Sequence, residues 1–446
     1  MKNKKAKIGI WGFGVVGKAA ARYFCDQGFL VEVFDSKKTF KAEQKKTNIS
    51  FVQNLETFLE KNDFILPSPG IDLRLYKHHQ HKWIAEVDII QKHFTKPIVA
   101  ITGTNGKTTV THLLSELLTK NGIRVWAGGN IGTGMLDLLS EKKEIDVAVL
   151  ELSSFQLEHS KTFAPTVAIW TNFSENHLNR HGTKENYFAA KRKLFECQTK
   201  EQHAIVPLSI KPDFEKFKAI KNLPCFFSTV VSKKDDADYI LTEQETVMRH
   251  KSGERISCPS MTTIFRLLPE QTFLENRLIV ALAAEKITKL LDKTISKSVK
   301  MCSLPHRLEN VATSKGVTFF NDSKSTTPAA TQAALKNFSK KPVLLFLGGL
   351  SKGIDRASFI RSLPNNVKKI YFFGTEAKSL AMHAKQNYQT FADLDTAFAQ
   401  CVHDAQLGDQ ILFSPAGSSF DLFSNYKARG DYFRQLVQQL KKTQKN

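Results

Sequence analysis

The stretch best suited to chemistry on phosphate is Gly103-Thr104-Asn105-Gly106-Lys107-Thr108-Thr109. Glycines let successive backbone N–H groups point into one concavity, and a helix that starts there adds the positive end of its dipole. Lys107 can reach the outer phosphates of a nucleotide, and the Thr108 hydroxyl can ligate Mg²⁺. The spacing departs from G-x-x-x-x-G-K-[ST], because Ile101 stands where the first glycine belongs. The elements needed to position the loop are present. The run from Pro97 to Ile101 reads as a buried strand. After the loop, Val110, Leu113, Leu114, Leu117 and Leu118 recur at helical spacing until Asn121-Gly122 stops the helix. A tight turn that merely resembles such a loop would not require the lysine, the hydroxyl and both flanking elements together.

Other residues sit where chemistry could follow. A β-rich run from Ile145 to Leu150 ends on Glu151, and ligands of parallel sheets lie at the carboxyl ends of strands. Gly128-Gly129-Asn130-Ile131-Gly132 is a further glycine turn. The strand-like run from Thr166 to Trp170 leads to Asn176-His177-Leu178-Asn179 and to a helix carrying Lys191. Taken alone, His177 reads as a hydrogen-bonded structural histidine and Lys191 as a surface charge. Near the N-terminus an apolar strand over residues 7–11 precedes Gly12-Phe13-Gly14-Val15-Val16-Gly17, an alanine-rich helix and a strand ending on Asp35. That is a dinucleotide-fold opening, and by itself it suggests NAD, although the same loop can cradle any diphosphate. His78, His79 and His81 lie in a polar, basic stretch that reads as solvated surface rather than a metal site.

With 446 residues the chain should divide into two or three domains. Thr95-Lys96-Pro97 reads as a linker, and the α/β pattern restarts near Ser303 with strands at 317–320, 342–348, 369–374 and 410–413. The expected domains are residues 1–95, 96–303 and 304–446. No apolar run approaches a membrane span, and the basic N-terminus leads into a glycine motif rather than an apolar signal segment. Six scattered cysteines without a C-x-x-C pair fit a reducing cytoplasm. The net charge of +21 would suit nucleic acid, but the lysines are spread along the whole chain, which equally suits small anionic substrates. Nucleic acid is therefore not expected as a partner.

These motifs together resemble the Mur ligases, ATP-dependent amide-forming enzymes of peptidoglycan precursor synthesis. The resemblance rests on the G-T-N-G-K-T-T loop, on E-L-S-S-F-Q-L-E from Glu151, and on S-P-A-G-S-S-F-D-L-F-S-N-Y-K-A-R-G-D-Y-F from Ser414. The last stretch points to the D-glutamate-adding branch, and the D-N-P-R motif of the branch that adds diaminopimelate or lysine is absent. The resemblance implies three α/β domains: a Rossmann-like N-terminal domain, a central phosphate-loop ATPase-type domain and a Rossmann-like C-terminal domain. It implies UDP-N-acetylmuramoyl-L-alanine and D-glutamate as substrates, an acyl-phosphate intermediate, a cytoplasmic location and a monomer.

Residue by residue, the resemblance gives the first glycine motif to a UDP-sugar rather than NAD. Asp35, Ser36 and Lys37 would contact the uracil and Gly14, Val15 and Gly17 the diphosphate, with Ser68 and Asn130 as further substrate contacts. Gly103, Thr104, Asn105, Gly106, Lys107, Thr108 and Thr109 would hold ATP, joined by Asn276, Arg307, Asp322 and Lys324. Glu151 and Thr108 would share one Mg²⁺, and His177 and Lys191 would hold a second, with Lys191 carbamylated by CO₂. Thr326, Lys352, Ser419 and Tyr426 would line the D-glutamate pocket. The third domain would close by a hinge near residue 303. Three departures stand out: Asn176 and Asn179 replace aspartates, Thr272-Phe273 replaces a His-Asn pair, and Tyr426 stands where Phe is common. Other readings are another Mur ligase or a folylpolyglutamate synthetase, a nucleotide-binding scaffold that has lost activity, and a nicotinamide dehydrogenase.

Overall fold

A computed structural model describes residues 6–36, 48–215, 225–228, 237–251, 254–270, 272–295, 305–351 and 353–443. Lys37, Lys352 and the hinge expected near residue 303 lie outside them. The chain forms two compact units, Met1–Leu268 with Leu274–Met301, and Pro269–Phe273 with Cys302–Asn446.

The first unit holds two sheets. One has four parallel strands, β1 (Lys7–Trp11), β2 (Leu30–Phe34), β3 (Ile49–Val52) and β4 (Phe64–Pro67), in the order β3-β2-β1-β4. Helix α1 (Val15–Asp26) follows β1 and buries Ala19, Ala20, Ala21 and Phe24. The second sheet has nine strands: β5 (Ile98–Thr102), β6 (Val125–Gly129), β7 (Val147–Glu151), β8 (Val167–Trp170), β9 (His203–Pro207), β10 (Cys225–Ser228), β11 (Tyr239–Leu241), β12 (Val247–Lys251) and β13 (Glu254–Ser257). Their order is β13-β12-β11-β10-β9-β8-β5-β7-β6, parallel except for the β11–β12–β13 edge.

Strand β5 is buried on both faces, which is why its sequence reads as an unbroken apolar run. Ile98 and Ala100 join a cluster that also takes Ile8, Val31 and Leu66 from the first sheet. Val99 and Ile101 face the other way, onto Leu113, Leu114 and Leu117 of α2 (Lys107–Lys120). All five apolar residues of the helical stripe in α2 are buried. Helix α3 (Lys184–Glu196) lies on the first of these faces, through Phe188, Leu194 and Phe195. Helix α4 (Leu274–Leu290) lies on the second. It starts two residues before Asn276, so that asparagine sits inside the helix rather than ahead of it.

The second unit is built on β14 (Glu309–Ser314), β15 (Val317–Asn321), β16 (Val343–Gly348), β17 (Val367–Phe373), β18 (Asn387–Phe391) and β19 (Gln410–Phe413), in the order β14-β15-β19-β16-β17-β18. All pairs but β14–β15 are parallel. Helix α5 (Tyr426–Thr443) buries Phe433 and Val437 among Phe346, Phe373 and Phe413. Phe273 packs against the opposite apolar cluster of this unit. The five described cysteines are free. Among the described residues no helix is long and apolar enough to cross a membrane.

Candidate active site

The phosphate loop leaves β5 at Gly103 and enters α2 at Lys107. Gly103 adopts φ +143°, and a side chain there would collide with the Thr171 hydroxyl. Gly106 is left-handed at φ +83°, and its Cβ would come within 2.7 Å of Asn276 Oδ1. Glycine is required at both positions by conformation and by space. The loop is tied to the end of β8. Thr104 N donates to Asn172 O at 3.0 Å, and Asn105 N to Asn172 Oδ1 at 2.9 Å. Lys107 Nζ donates to the carbonyls of Gly103 at 2.9 Å and Thr104 at 3.0 Å. The cation therefore lies folded over the loop, where an anion would meet it. Thr108 and Thr109 are half-buried in the first turn of α2.

Strand β7 runs beside β5, with Glu151 in register with Ile101. Glu151 is buried. One carboxylate oxygen accepts from Asn130 Nδ2 at 2.9 Å, and the other, Oε2, has no hydrogen-bond partner. The glycine turn after β6 makes this possible. Gly129 at φ +109° lets the chain pass the Glu151 carbonyl, which Asn130 N then meets at 2.8 Å. Asn130 thus orients Glu151.

Lys191 lies on α3 and is 1% exposed. Its Nζ donates to Gly103 O at 2.9 Å and Thr102 Oγ1 at 3.4 Å, and stands 4.7 Å from the centre of the Tyr187 ring. Burial, aided by the charge of Lys107, drives its pKa well below the ordinary lysine value, against the pull of Glu151. His177 is exposed, adopts φ 53° and packs edge-on against Phe155 at 5.1 Å. Desolvation, then Lys191 and Lys107, lowers its pKa, so the imidazole is the neutral, metal-binding form at neutral pH. Lys107, Glu151 and Lys191 gather at the carboxyl ends of β5 and β7, and Asn276 borders the loop at Gly106.

In the first sheet, Asp35 Oδ2 accepts from Phe13 N at 2.8 Å, which draws the end of β2 onto the glycine loop. Ser68 Oγ donates to Gly12 O at 3.2 Å. Gly14 has open space around its Cβ position, and Val15 is exposed, so the mouth of the loop is clear. Gly17 is different, because a side chain there would strike the Gly12 carbonyl.

The second unit carries its own cluster at the ends of β15, β16 and β19. Asp322 is buried and accepts from Ser414 Oγ at 2.7 Å and Leu308 N at 3.2 Å, with burial raising its pKa to about 6. Lys324 Nζ lies over the Tyr426 ring. Arg307 and Thr326 are half-buried and Ser419 is buried. Two arginines that sequence reasoning passed over hold these loops. Arg429, fully buried, donates to Ser323 O at 2.8 Å, Ser323 Oγ at 3.0 Å and Gly417 O at 3.0 Å. Arg356 donates to Gly349 O at 2.7 Å, Gly348 O at 2.9 Å and Pro415 O at 3.0 Å. In sequence, Arg356 stands close to a glycine-rich turn, and Arg429 lies within the stretch from Ser414 that carries the family resemblance.

Comparison with known proteins agrees with this geometry. A family model described as the Mur ligase middle domain matches residues 101–284, and one described as the Mur ligase, glutamate ligase domain, matches residues 306–417. A UDP-N-acetylmuramoylalanine–D-glutamate ligase of Caldicellulosiruptor saccharolyticus is 32% identical over 97% of this chain and 99% of its own length. Its counterpart in Koribacter versatilis is 32% identical over 98% of both chains. Among solved structures, a MurF ligase from Thermotoga maritima in complex with ADP superposes with a TM-score of 0.59 at 16% identity, covering 98% of this chain and 96% of that one. A bifunctional folylpolyglutamate synthase/dihydrofolate synthase from Yersinia pestis, complexed with AMPPNP and Mn ion, gives 0.56 at 17% identity, covering 83% and 99%. At such identities the solved structures speak to the fold alone.

Proposed function

The chain belongs to the Mur ligase family, and from that premise we propose that it joins D-glutamate to UDP-N-acetylmuramoyl-L-alanine at the expense of ATP. The observation that carries the reading is Lys191, a buried amine held 2.9 Å from the carbonyl of Gly103 in the phosphate loop. A lysine placed there only for charge would stay protonated and solvated. Here burial lowers the pKa well below the ordinary lysine value and so favours the neutral amine, the form that reacts with CO₂ to give a carbamate and release a proton.

The alanyl carboxylate is a poor acylating agent until its oxygen attacks the γ-phosphorus and ADP departs. The amine of D-glutamate then attacks the carbonyl carbon of the acyl phosphate, and phosphate leaves as the amide forms. Lys107 and the loop N–H groups hold the outer phosphates in line. Asn130 fixes one oxygen of Glu151 and leaves the other available to a cation. Among the described residues no three His, Cys, Asp or Glu side chains group closely enough to hold a metal on their own. In the Mur ligase reading the Mg²⁺ donors are Glu151 with Thr108 at one position and His177 with carbamylated Lys191 at another. Magnesium bound there would neutralise charge on the transferring phosphoryl group.

In this reading residues 1–95 hold the UDP-sugar, 96–303 hold ATP and 304–446 hold D-glutamate. Asp35, Ser36, Ser68 and the Gly14–Gly17 turn serve the first substrate, and Thr326, Ser419 and Tyr426 the last. Substrates of this kind belong to the cytoplasm. The deciding experiment is phosphate release from ATP in the presence of UDP-N-acetylmuramoyl-L-alanine, with D-glutamate, L-glutamate, lysine or diaminopimelate as acceptor. Release with D-glutamate alone is expected. Release with lysine or diaminopimelate and none with D-glutamate overturns the substrate assignment.

A further inference from the structure

Arg180 lies three residues after His177, at the far side of the same short turn, Leu178–His181. Its guanidinium meets two separate segments. Nη1 and Nη2 reach the two Glu158 oxygens at 3.4 and 3.1 Å. Nη2 also donates to Ile71 O at 3.1 Å, and Nη1 stands 3.8 Å from Asp72 Oδ1. The carbon of the guanidinium lies 5.6 Å from the centre of the Phe155 ring. Only 12% of this side chain is exposed, so the contacts are made largely out of water.

Each segment leads to a different part of the site. Glu158 ends the short helix that follows Glu151. Phe155 of that helix packs against His177 and stacks on His181 at 5.1 Å. Ile71 belongs to the loop after β4, where its N–H donates to Ser68 O at 2.9 Å. Ser68 in turn donates to both Trp11 O and Gly12 O, the start of the first glycine loop. A chain of contacts thus runs from the His177 turn through Arg180 to the loop that frames the cradle after β1.

The turn does not depend on Arg180 for its own place. His181 anchors it separately, with Nε2 2.9 Å from Ser154 Oγ and its ring flat on Phe155. Loss of Arg180 would therefore free the Ile71–Asp72 end of that loop, which Ser68 holds only at its other end, while leaving the His177 turn in position. We propose that Arg180 is a positioning residue that seats the Ser68–Asp72 loop, and with it the UDP-sugar, against the nucleotide side of the site. The planar guanidinium can serve a carboxylate and a carbonyl at once, whereas a lysine ammonium cannot span both in this geometry. The proposal rests on the ligase reading above.

The test uses the full chain and the variants Arg180→Lys, Arg180→Ala and Glu158→Gln. Steady-state phosphate release gives KM for each substrate, and calorimetry gives UDP-N-acetylmuramoyl-L-alanine binding without nucleotide. For Arg180→Lys and Glu158→Gln we expect KM and Kd for the UDP-sugar to rise about tenfold, with KM for ATP changed less than about twofold. For Arg180→Ala the rise should be larger still. A merely structural role would lower the melting temperature and the active fraction with the KM values unchanged, and that result overturns the proposal. An equal rise in KM for ATP and UDP-sugar overturns it too. Should the alanine variant fail to fold, the other two variants decide. A wild-type protein that binds the UDP-sugar but releases no phosphate with D-glutamate would overturn the ligase reading instead, and the calorimetric comparison would still judge Arg180.

Discussion

Lys324 Nζ stands 3.8 Å from the centre of the Tyr426 ring. The lysine lies on the turn after β15 and the tyrosine opens α5, and Ser323 Oγ locks the two together by donating to Tyr426 O at 2.8 Å. A cation held on a ring face is worth about 0.5–2 kcal/mol, and the attraction needs the ring rather than its hydroxyl. Tyr426→Phe should therefore keep KM for D-glutamate and for ATP within about threefold, while Tyr426→Leu should raise both by roughly tenfold. Steady-state kinetics with each substrate varied checks this. Equal kinetics for the phenylalanine and leucine variants would show that the ring plays no part.

Lys107→Ala removes the cation that folds over the phosphate loop. Phosphate release that depends on both substrates should fall by about a thousandfold or more, since outer-phosphate charge is then unopposed in the transition state. Circular dichroism should stay unchanged, because the loop backbone is held to Asn172 independently of this side chain. Near-normal turnover would remove the loop from the mechanism.

Lys191 separates charge from ligation. Lys191→Ala should lose most activity, and a small carboxylic acid in solution should restore part of it by supplying the missing oxygens. Lys191→Arg places a permanent cation in the same buried position and should be as inactive as the alanine variant. Wild-type activity in the arginine variant would make Lys191 an ordinary charge. Mass spectrometry under CO₂ gives an independent reading of the carbamate.

Glu86 offers a pH signature. It is buried, one carboxyl oxygen has no hydrogen-bond partner, and burial with the nearby charge of Asp137 lifts its pKa from 4.5 to about 8. A folded-state pKa above the unfolded value means the native protein holds the extra proton across that interval. Stability from this group is thus full below about pH 4.5 and declines as pH rises to about 8. Glu86→Gln should match wild type near pH 5 and exceed it at pH 8.5 by up to about 5 kcal/mol, read as a higher melting temperature in calorimetry. A constant difference between the two proteins at every pH would contradict this.

The phosphate loop, α2 and the place of Glu151 were legible because local sequence sets them. A buried strand, two strained glycines and a helical stripe all act within a few residues of one another. Strand β6 was not, because it runs into Gly128 and Gly129 and reads as a turn. Strand β18 escaped notice for another reason. It lies on the edge of its sheet with four of five residues exposed, so no apolar run marks it. The pairing of Asn130 with Glu151 and of Asp35 with Phe13 joins loops from different strands, which periodicity cannot show. Arg429 illustrates the same limit, since its partner Ser323 is 106 residues away. The family resemblance supplied residue roles, but it did not show that Asn130 first serves Glu151.

The order of the second unit's sheet has a consequence for synthesis. Strand β19, the last to leave the ribosome, lies between β15 and β16. Until Gln410–Phe413 emerges, those two strands have no hydrogen-bonded neighbour on the sides that will face it. A nascent chain that has reached residue 409 thus exposes two strand edges rich in Phe and Leu, open to pairing with the wrong segment or with another chain. A pause in translation before Gln410–Phe413 has left the ribosome would lengthen that interval.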